Sequence, residues 1–251
     1  MRELEGYVAL VTGGPRNIGR AIAMSFANAG ASVVVTALSD IAGAQAVIDE
    51  IKAAGGQGLA VSCDVTREED VARLHDEIAA RFGRLDILVN NAAVRGEVPF
   101  AELDHATWSR ILSICLDGAF HCTQAALPLL KEAGGATVVN IGGLTAHTGA
   151  VERTHVVTAK AGLVGMTRAL AHELAGFGIT VNNVAPGMMD TKRGVSAGNQ
   201  QPRHHATQQT LLGRRGHPDE IAAAVRWLAG PGGRFVTGQV IHVNGGAYLG
   251  G

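Results

Sequence analysis

The chain has 251 residues, 47% apolar and only 17% charged, with 34 glycines and a formal net charge of −1. That length suits one large α/β domain with a substantial core, and so small a net charge gives no electrostatic reason to expect nucleic acid or an anionic membrane as partner. The charged start Met1-Arg2-Glu3-Leu4-Glu5 carries no visible signal peptide, and no apolar run approaches the ~20 residues that span a bilayer, so a cytoplasmic protein is expected. Cys63, Cys115 and Cys122 are odd in number and lack C-x-x-C spacing, which points to free thiols.

A β-branched run at residues 7–11 reads as the first strand and runs into Thr12-Gly-Gly-Pro-Arg-Asn-Ile-Gly19. A helix follows at once, with Ile18, Ile22 and Phe26 on one face and Gly30 as its stop. Residues 32–36 form the next strand, and Ser39 is expected to cap a helix bearing Ala44, Val47, Ile48 and Ile51. After a strand at 58–63, Thr66 and Glu69 have capping-box spacing ahead of Val71, Leu74, Ile78 and Phe82. Four more strands are expected at 85–90, 137–141, 180–185 and 240–243. Strands alternating with amphipathic helices imply a single Rossmann-type domain over 1–251, a doubly wound seven-stranded parallel sheet with helices on both faces. Residues 188–212 break the pattern with a polar, irregular stretch, read as a substrate-lid loop.

The glycine turn carries chemistry. Between a strand and a helix, Gly13 and Gly19 allow a tight turn and close approach of backbone to a pyrophosphate, with helix N–H donors behind it. Asn17 stands where another glycine is usual, and asparagine tolerates positive φ better than other side chains do. The second strand runs into Val35-Thr-Ala-Leu-Ser39 without the carboxylate that would hold an NAD ribose, and Arg16 lies in the turn itself. That combination favours NADP(H) over NAD(H). His204-His205 lack a third ligand at fitting spacing, so no metal is expected.

The order of the glycine turn, Cys63-Asp-Val65, Asn90-Asn-Ala-Ala93, Lys160 and Pro186-Gly187 resembles the short-chain dehydrogenase/reductase family, and within it the 3-oxoacyl-acyl-carrier-protein reductases. The likeness runs from about Gly6 to Val243-Asn-Gly-Gly246. It implies that Gly13, Arg16, Asn17, Ile18 and Gly19 hold the cofactor phosphates. It further implies that Asp64 and Val65 meet the adenine, that Asn90 and Ala92 lie beside the cofactor, and that Pro186, Gly187 and Thr191 border the nicotinamide. The resemblance also implies a homotetramer built on helices around 106–131 and 153–176, with assembly beside an active homologue as a variant.

Reductases of that family use a tyrosine proton donor, a lysine four residues later that lowers its pKa and holds the ribose, a serine, and an asparagine. Only Lys160 matches. The tyrosine position is Val156, the serine position Gly143, and the asparagine position, seven residues after Trp108, is Cys115. His155, beside the tyrosine position, is the nearest candidate for the missing donor, although one helical step turns it about 100° away. Its alternative is a partly exposed histidine at a helix start or interface. His147, in the loop after the fifth strand, is a second candidate to reach substrate.

Three readings follow. The first is an NADP(H)-dependent oxidoreductase acting on a carbonyl, enone or imine-type small molecule with atypical proton delivery. It includes an enoyl- or dienoyl-thioester variant, because His155-Val-Val-Thr-Ala-Lys160 also resembles dienoyl-coenzyme A reductases. The second is a catalytically silent nucleotide-binding homologue, and the third a structural subunit paired with an active relative.

Overall fold

The computed structural model describes residues 2–191 and 209–250. Seven parallel strands form one sheet: β1 (Val8–Val11), β2 (Ser32–Ala37), β3 (Gly58–Ser62), β4 (Ile87–Asn90), β5 (Thr137–Ile141), β6 (Thr180–Pro186) and β7 (Val240–Val243), in the order β3-β2-β1-β4-β5-β6-β7. Each falls within two residues of its expected start and end. The order reverses between β1 and β4, which opens the crevice at the carboxyl ends of the strands where such sheets bind ligands.

Helices cover both faces. On one lie α1 (Asn17–Asn28), α2 (Ile41–Ala53) and, late in the chain, α8 (Pro218–Ala229), which bury Ile22, Phe26, Ile48 and Val225 in one apolar layer on the sheet. The other face is covered by α3 (Glu68–Phe82), α5 (Gly118–Glu132) and the far end of α7 (Thr154–Leu174), burying Leu74, Ile78, Leu130 and Leu174. Each such aliphatic side chain contributes about 1.5–3 kcal/mol when taken out of water. Two faces filled this way explain why the strands read as continuous apolar runs. Between β4 and α5, α4 (His105–Leu112) leads into a π-helical turn, Ser113–Asp117, and the short α6 (Thr145–Thr148) follows β5.

Two helix starts differ from expectation. Asp40, not Ser39, caps α2, its carboxylate accepting from the Gly43 N–H at 3.1 Å. No capping box forms at α3, because Asp64 draws the Thr66 hydroxyl and N–H to its own oxygen at 2.7 and 3.0 Å. A capping box does form at α8, between His217 and Glu220.

Residues 192–208, including Arg203, His204 and His205 of the expected lid, lie outside the described residues. Their flanks are anchored: Asp190 N–H donates to Gly216 O at 2.7 Å, and Leu212 N–H to Gly245 O at 3.2 Å. Among the described residues no helix is long and apolar enough to cross a membrane.

Candidate active site

The turn from β1 into α1 has the backbone its sequence demands. Gly13 has φ +62 and Asn17 φ +50, the left-handed region that glycine and asparagine enter most readily. A Cβ on Gly13 would lie 2.9 Å from Ala92 Cα, and one on Gly19 2.6 Å from Gly13 O, so both positions exclude any side chain. The turn is clamped from β4. Asn91 Nδ2 donates to Thr12 O at 2.9 Å and Gly13 O at 2.8 Å, while Thr12 Oγ1 accepts from the Asn91 and Ala92 N–H groups. Ile18 and Gly19 are buried in the first turn of α1, which carries no acidic residue, and Arg16 is exposed at its N-cap. The result is a helix N-terminus without an acidic residue and with a cationic side chain at its rim, suited to phosphate.

At the end of β2, Leu38 is exposed and Asp40 is committed to capping α2. Asp64 sits after β3 with its carboxylate on Thr66, and Val65 is buried beside it. Pro186 closes β6, its carbonyl accepting from Leu144 N–H at 2.9 Å, and Gly187 packs so tightly that a Cβ would meet Asn244 Cα at 2.7 Å. Thr191 is the last described residue on this side of 192–208.

Lys160 stands on α7 at the carboxyl end of β5, where Nζ donates to Ile141 O at 2.6 Å. A polar bridge fixes this arrangement. Asn90 Nδ2 donates to Thr123 Oγ1 and Asn140 Oδ1, and Asn140 Nδ2 donates to Thr167 Oγ1, locking β4, β5, α5 and α7 together. Asn90 Oδ1 remains buried without a partner at the crevice, a polar atom positioned to accept from a ligand. Burial holds the Lys160 ammonium below its usual range; a charged Cys115 would raise it, and the guanidinium groups of Arg95 and Arg153 lower it further.

Around Lys160, Val156 is buried against Ile111, Cys115 and Ala159. Cys115 lies in the π turn, its thiol directed at Val94 O at 3.6 Å. A Cβ on Gly143 would meet nothing within 4 Å, so open space lies where a longer side chain would stand.

His155 is not the partly exposed residue expected of a helix start. It is fully buried, with neither ring nitrogen hydrogen-bonded. The loop after β4 covers it: Val98 N–H donates to Glu152 O at 2.8 Å, and His155 Nε2 lies 3.5 Å from where a Gly96 Cβ would be. The charges it feels are those of Arg153 and Glu97. His147, in contrast, joins a ring cluster that the sequence did not reveal. It lies 4.6 Å from His242 on β7 and 5.6 Å from Tyr248, centroid to centroid. Tertiary folding thus brings one of the two tyrosines to the turn after Gly143. Burial lowers the pKa of both histidines, with Arg168 adding to this at His147 and His147 itself at His242.

Burial, aided by Arg153, keeps the His155 imidazole below its ordinary value of 6.5, so the unfolded chain takes up a proton there that the folded chain refuses. Stability therefore falls as pH drops through that value, and is unaffected by this group well above it. Replacing His155 with Leu is expected to flatten that slope in denaturant titrations. Removing unpartnered buried nitrogens, each a penalty of about 1–3 kcal/mol, also offsets the altered packing. A steeper acid loss in the variant contradicts this account.

The carboxyl-end crevice, the glycine turn and the buried lysine define a nucleotide-binding α/β protein of the reductase type. A family model described as enoyl-(acyl carrier protein) reductase matches residues 13–248. The 3-oxoacyl-[acyl-carrier-protein] reductase FabG of Vibrio cholerae is 38% identical over 246 residues, 98% of this chain and 99% of that protein. The FabG of Staphylococcus aureus strain Mu50 is 36% identical over 242 residues, 96% of this chain and 98% of its own length. Among solved structures, a short-chain dehydrogenase from Burkholderia cenocepacia in complex with NADP superposes with a TM-score of 0.90 at 34% identity, covering 98% of this chain and 99% of that one. A dehydrogenase/reductase from Sinorhizobium meliloti does so with a TM-score of 0.92 at 35% identity, covering 99% and 97%. The chain belongs to the short-chain dehydrogenase/reductase family, and its relatives are oxidoreductases.

The resemblance assigns site roles to Gly13, Gly19, Asn90 and Lys160; its motifs contain Thr12 and Asn91 without a role, and Asn140, Thr123 and Thr167 are outside them, although all five hold the site in place. Asn91 had a visible signal, its adjacency to Asn90. Asn140, Thr123 and Thr167 show in sequence only as ordinary strand and helix residues. Among the described residues, no group of three or more His, Cys, Asp or Glu side chains is placed to hold a metal ion.

Proposed function

We propose that the chain is an NADP(H)-dependent oxidoreductase that moves hydride to or from a carbonyl, enone or imine-type bond without a tyrosine acid. The observation that carries this reading is Lys160, buried and held on Ile141 O at the crevice although Val156, Cys115 and Gly143 around it supply no hydroxyl. Keeping an ammonium in so buried a place opposes stability unless something bound there uses it.

The residues present fit the dinucleotide. Gly13, Asn17, Ile18 and Gly19 leave room and N–H donors for the pyrophosphate, and Arg16 at the rim suits a 2′-phosphate. With Asp40 occupied at its helix cap, β2 offers no free carboxylate to a ribose 2′-hydroxyl. Asp64 and Val65 would flank the adenine, Asn90 and Ala92 the centre, Lys160 the ribose, and Pro186, Gly187 and Thr191 the nicotinamide. NADP in complex with the Burkholderia relative supports the same choice. The bound cofactor supplies the hydride. Lys160 Nζ is then the donor best placed to stabilise negative charge developing on a substrate oxygen.

The names of the relatives support an acyl thioester as one substrate class, and the dienoyl-type variant stays within the same reading. A homotetramer is part of it, with exposed Phe100, Phe120 and Phe177 as apolar surface for self-association.

Fluorescence titration tests the cofactor: NADPH is expected to bind more tightly than NADH, with Arg16→Ala weakening NADPH about tenfold or more and leaving NADH nearly unaffected. NADPH oxidation with ketone, enone, imine and thioester panels tests the reaction. Tight NADPH binding with every panel silent would favour the non-catalytic homologue.

A further inference from the structure

We propose that the rings of His147, His242 and Tyr248 form a pH-sensitive lock on the C-terminal turn, residues 244–248, which opens when the histidines take up protons and thereby weakens NADP(H) binding. The link to the cofactor rests on the reading above, in which Pro186 and Gly187 border the nicotinamide.

The turn holds two other segments at once. Gly187 N–H donates to Val243 O at 3.0 Å, and a Cβ on Gly187 would lie 2.7 Å from Asn244 Cα. The same turn meets the chain after residue 208. Gly245 O accepts from Leu212 N–H at 3.2 Å, and a Cβ on Gly246 would lie 2.7 Å from Leu211 Cδ1. Gly245 and Gly246 have φ +63 and +80, a path that a side chain would strain. Within the turn, Gly246 N–H donates to Asn244 Oδ1 at 2.9 Å and Asn244 Nδ2 to Tyr248 O at 3.1 Å. Tyr248 is thereby tied to the residue that packs on Gly187.

The Tyr248 ring fastens the end of the turn. It stacks on His147, from the short α6 after β5, at 5.6 Å and 28°, and lies 5.0 Å from His242 on β7. The two imidazoles are 4.6 Å apart, centroid to centroid. His147 Nε2 and His242 Nδ1 are buried without a hydrogen-bond partner. The titratable and charged groups that act on the pair are Tyr248, Arg168 of α7 and the histidines themselves; among the described residues no carboxylate is one of them. A proton here meets no anion, and a second sets like charges 4.6 Å apart. The closed cluster therefore refuses protons that an open one accepts. As pH falls through 6.5, the ordinary histidine value, the open turn gains.

Hydrogen exchange read by mass spectrometry, corrected for intrinsic rates, follows residues 210–213 and 243–248 in the full chain at about pH 7.5 and about pH 5. Exchange there is expected to rise about tenfold or more at the lower pH, while β1 and β4 stay protected. His147→Phe combined with His242→Phe keeps the rings, removes the titration and should leave both segments protected at either pH. His147→Phe alone keeps the test decisive should the pair fold poorly, and is expected to lower the pH response. Tyr248→Phe should behave as the wild type, whereas Tyr248→Ala should open the turn at both pH values. Calorimetry with NADP⁺ should show affinity falling at least about threefold more on acidification in the wild type than in the double variant. Titration of the cofactor's own phosphate acts equally on both proteins. Wild-type protection that ignores pH, or an equal pH response in the histidine variants, overturns the lock: the rings then serve packing only. An opened turn with NADP⁺ affinity unchanged overturns the link to the cofactor and leaves the oxidoreductase reading standing. Absence of NADP⁺ binding in every form at either pH removes that reading instead, and exchange alone then decides the lock.

Discussion

Replacing Lys160 with methionine is expected to lower kcat/KM by about 10²–10³-fold on the best substrate of the panel, while raising the melting temperature of the cofactor-free protein. The activity loss is the size seen when one preorganised donor is removed from a developing oxyanion. The stability gain follows from burial. Lys160 is 8% exposed, and the hydrogen-bond partner of its ammonium is a carbonyl, Ile141 O, rather than a carboxylate. Methionine fills a similar volume without a charge to desolvate. A gain in thermal stability with a loss of turnover marks a residue kept for function. Calorimetric scans of both forms, with and without NADPH, decide the matter: a variant less stable in the cofactor-free state means that the lysine serves the fold.

The second large effect concerns the missing hydroxyls. Gly143→Ser combined with Val156→Tyr is expected to create or raise ketone reduction, by about 10²–10⁴-fold where an acid is limiting. The two changes meet different surroundings. At Gly143 nothing lies within 4 Å of a new Cβ, so serine enters without displacement. Val156 is packed against Ile111, Cys115 and Ala159, so tyrosine must push these aside at a cost of about 1–3 kcal/mol. The double variant should therefore be less stable and more active on ketones. Steady-state kinetics beside melting curves separate the two effects. A folded, NADPH-binding double variant with no gain on any ketone shows that the pocket is reshaped beyond those two positions.

The frame was legible because it rests on local rules. Short β-branched runs and period-3.6 patterns located seven strands and their helices. The demand for left-handed backbone at Gly13 and Asn17 made the glycine turn readable before any contact was known. Capping was less legible, since Ser39 and Asp40 both qualify by type. The choice of Asp40 depends on which carboxylate reaches the Gly43 N–H. At Thr66 the side chain had two local partners to choose between, and Asp64 prevailed.

His155 shows the limit most clearly. Its neighbours on α7 give no sign of a fully buried imidazole, because the cover comes from a loop more than fifty positions earlier in the chain. Asn90, Asn140 and Thr167 are likewise unremarkable in sequence, and become one network only when β4, β5 and α7 lie side by side. The same holds for His147, His242 and Tyr248, whose rings meet through the pairing of β6 with β7 and the return of the C-terminal segment.

By itself, then, the sequence determined the element order, the phosphate-binding turn, and a lysine surrounded by residues without hydroxyls. Those depend on backbone preference and on side-chain identity at fixed spacing. The tertiary structure decided how Lys160 is set: its Nζ is held on Ile141 O, and its helix neighbour His155 is turned beneath the loop after β4. Proximity across long chain separations is set by packing, and packing placed this lysine on a strand carbonyl and buried the neighbouring histidine under a loop.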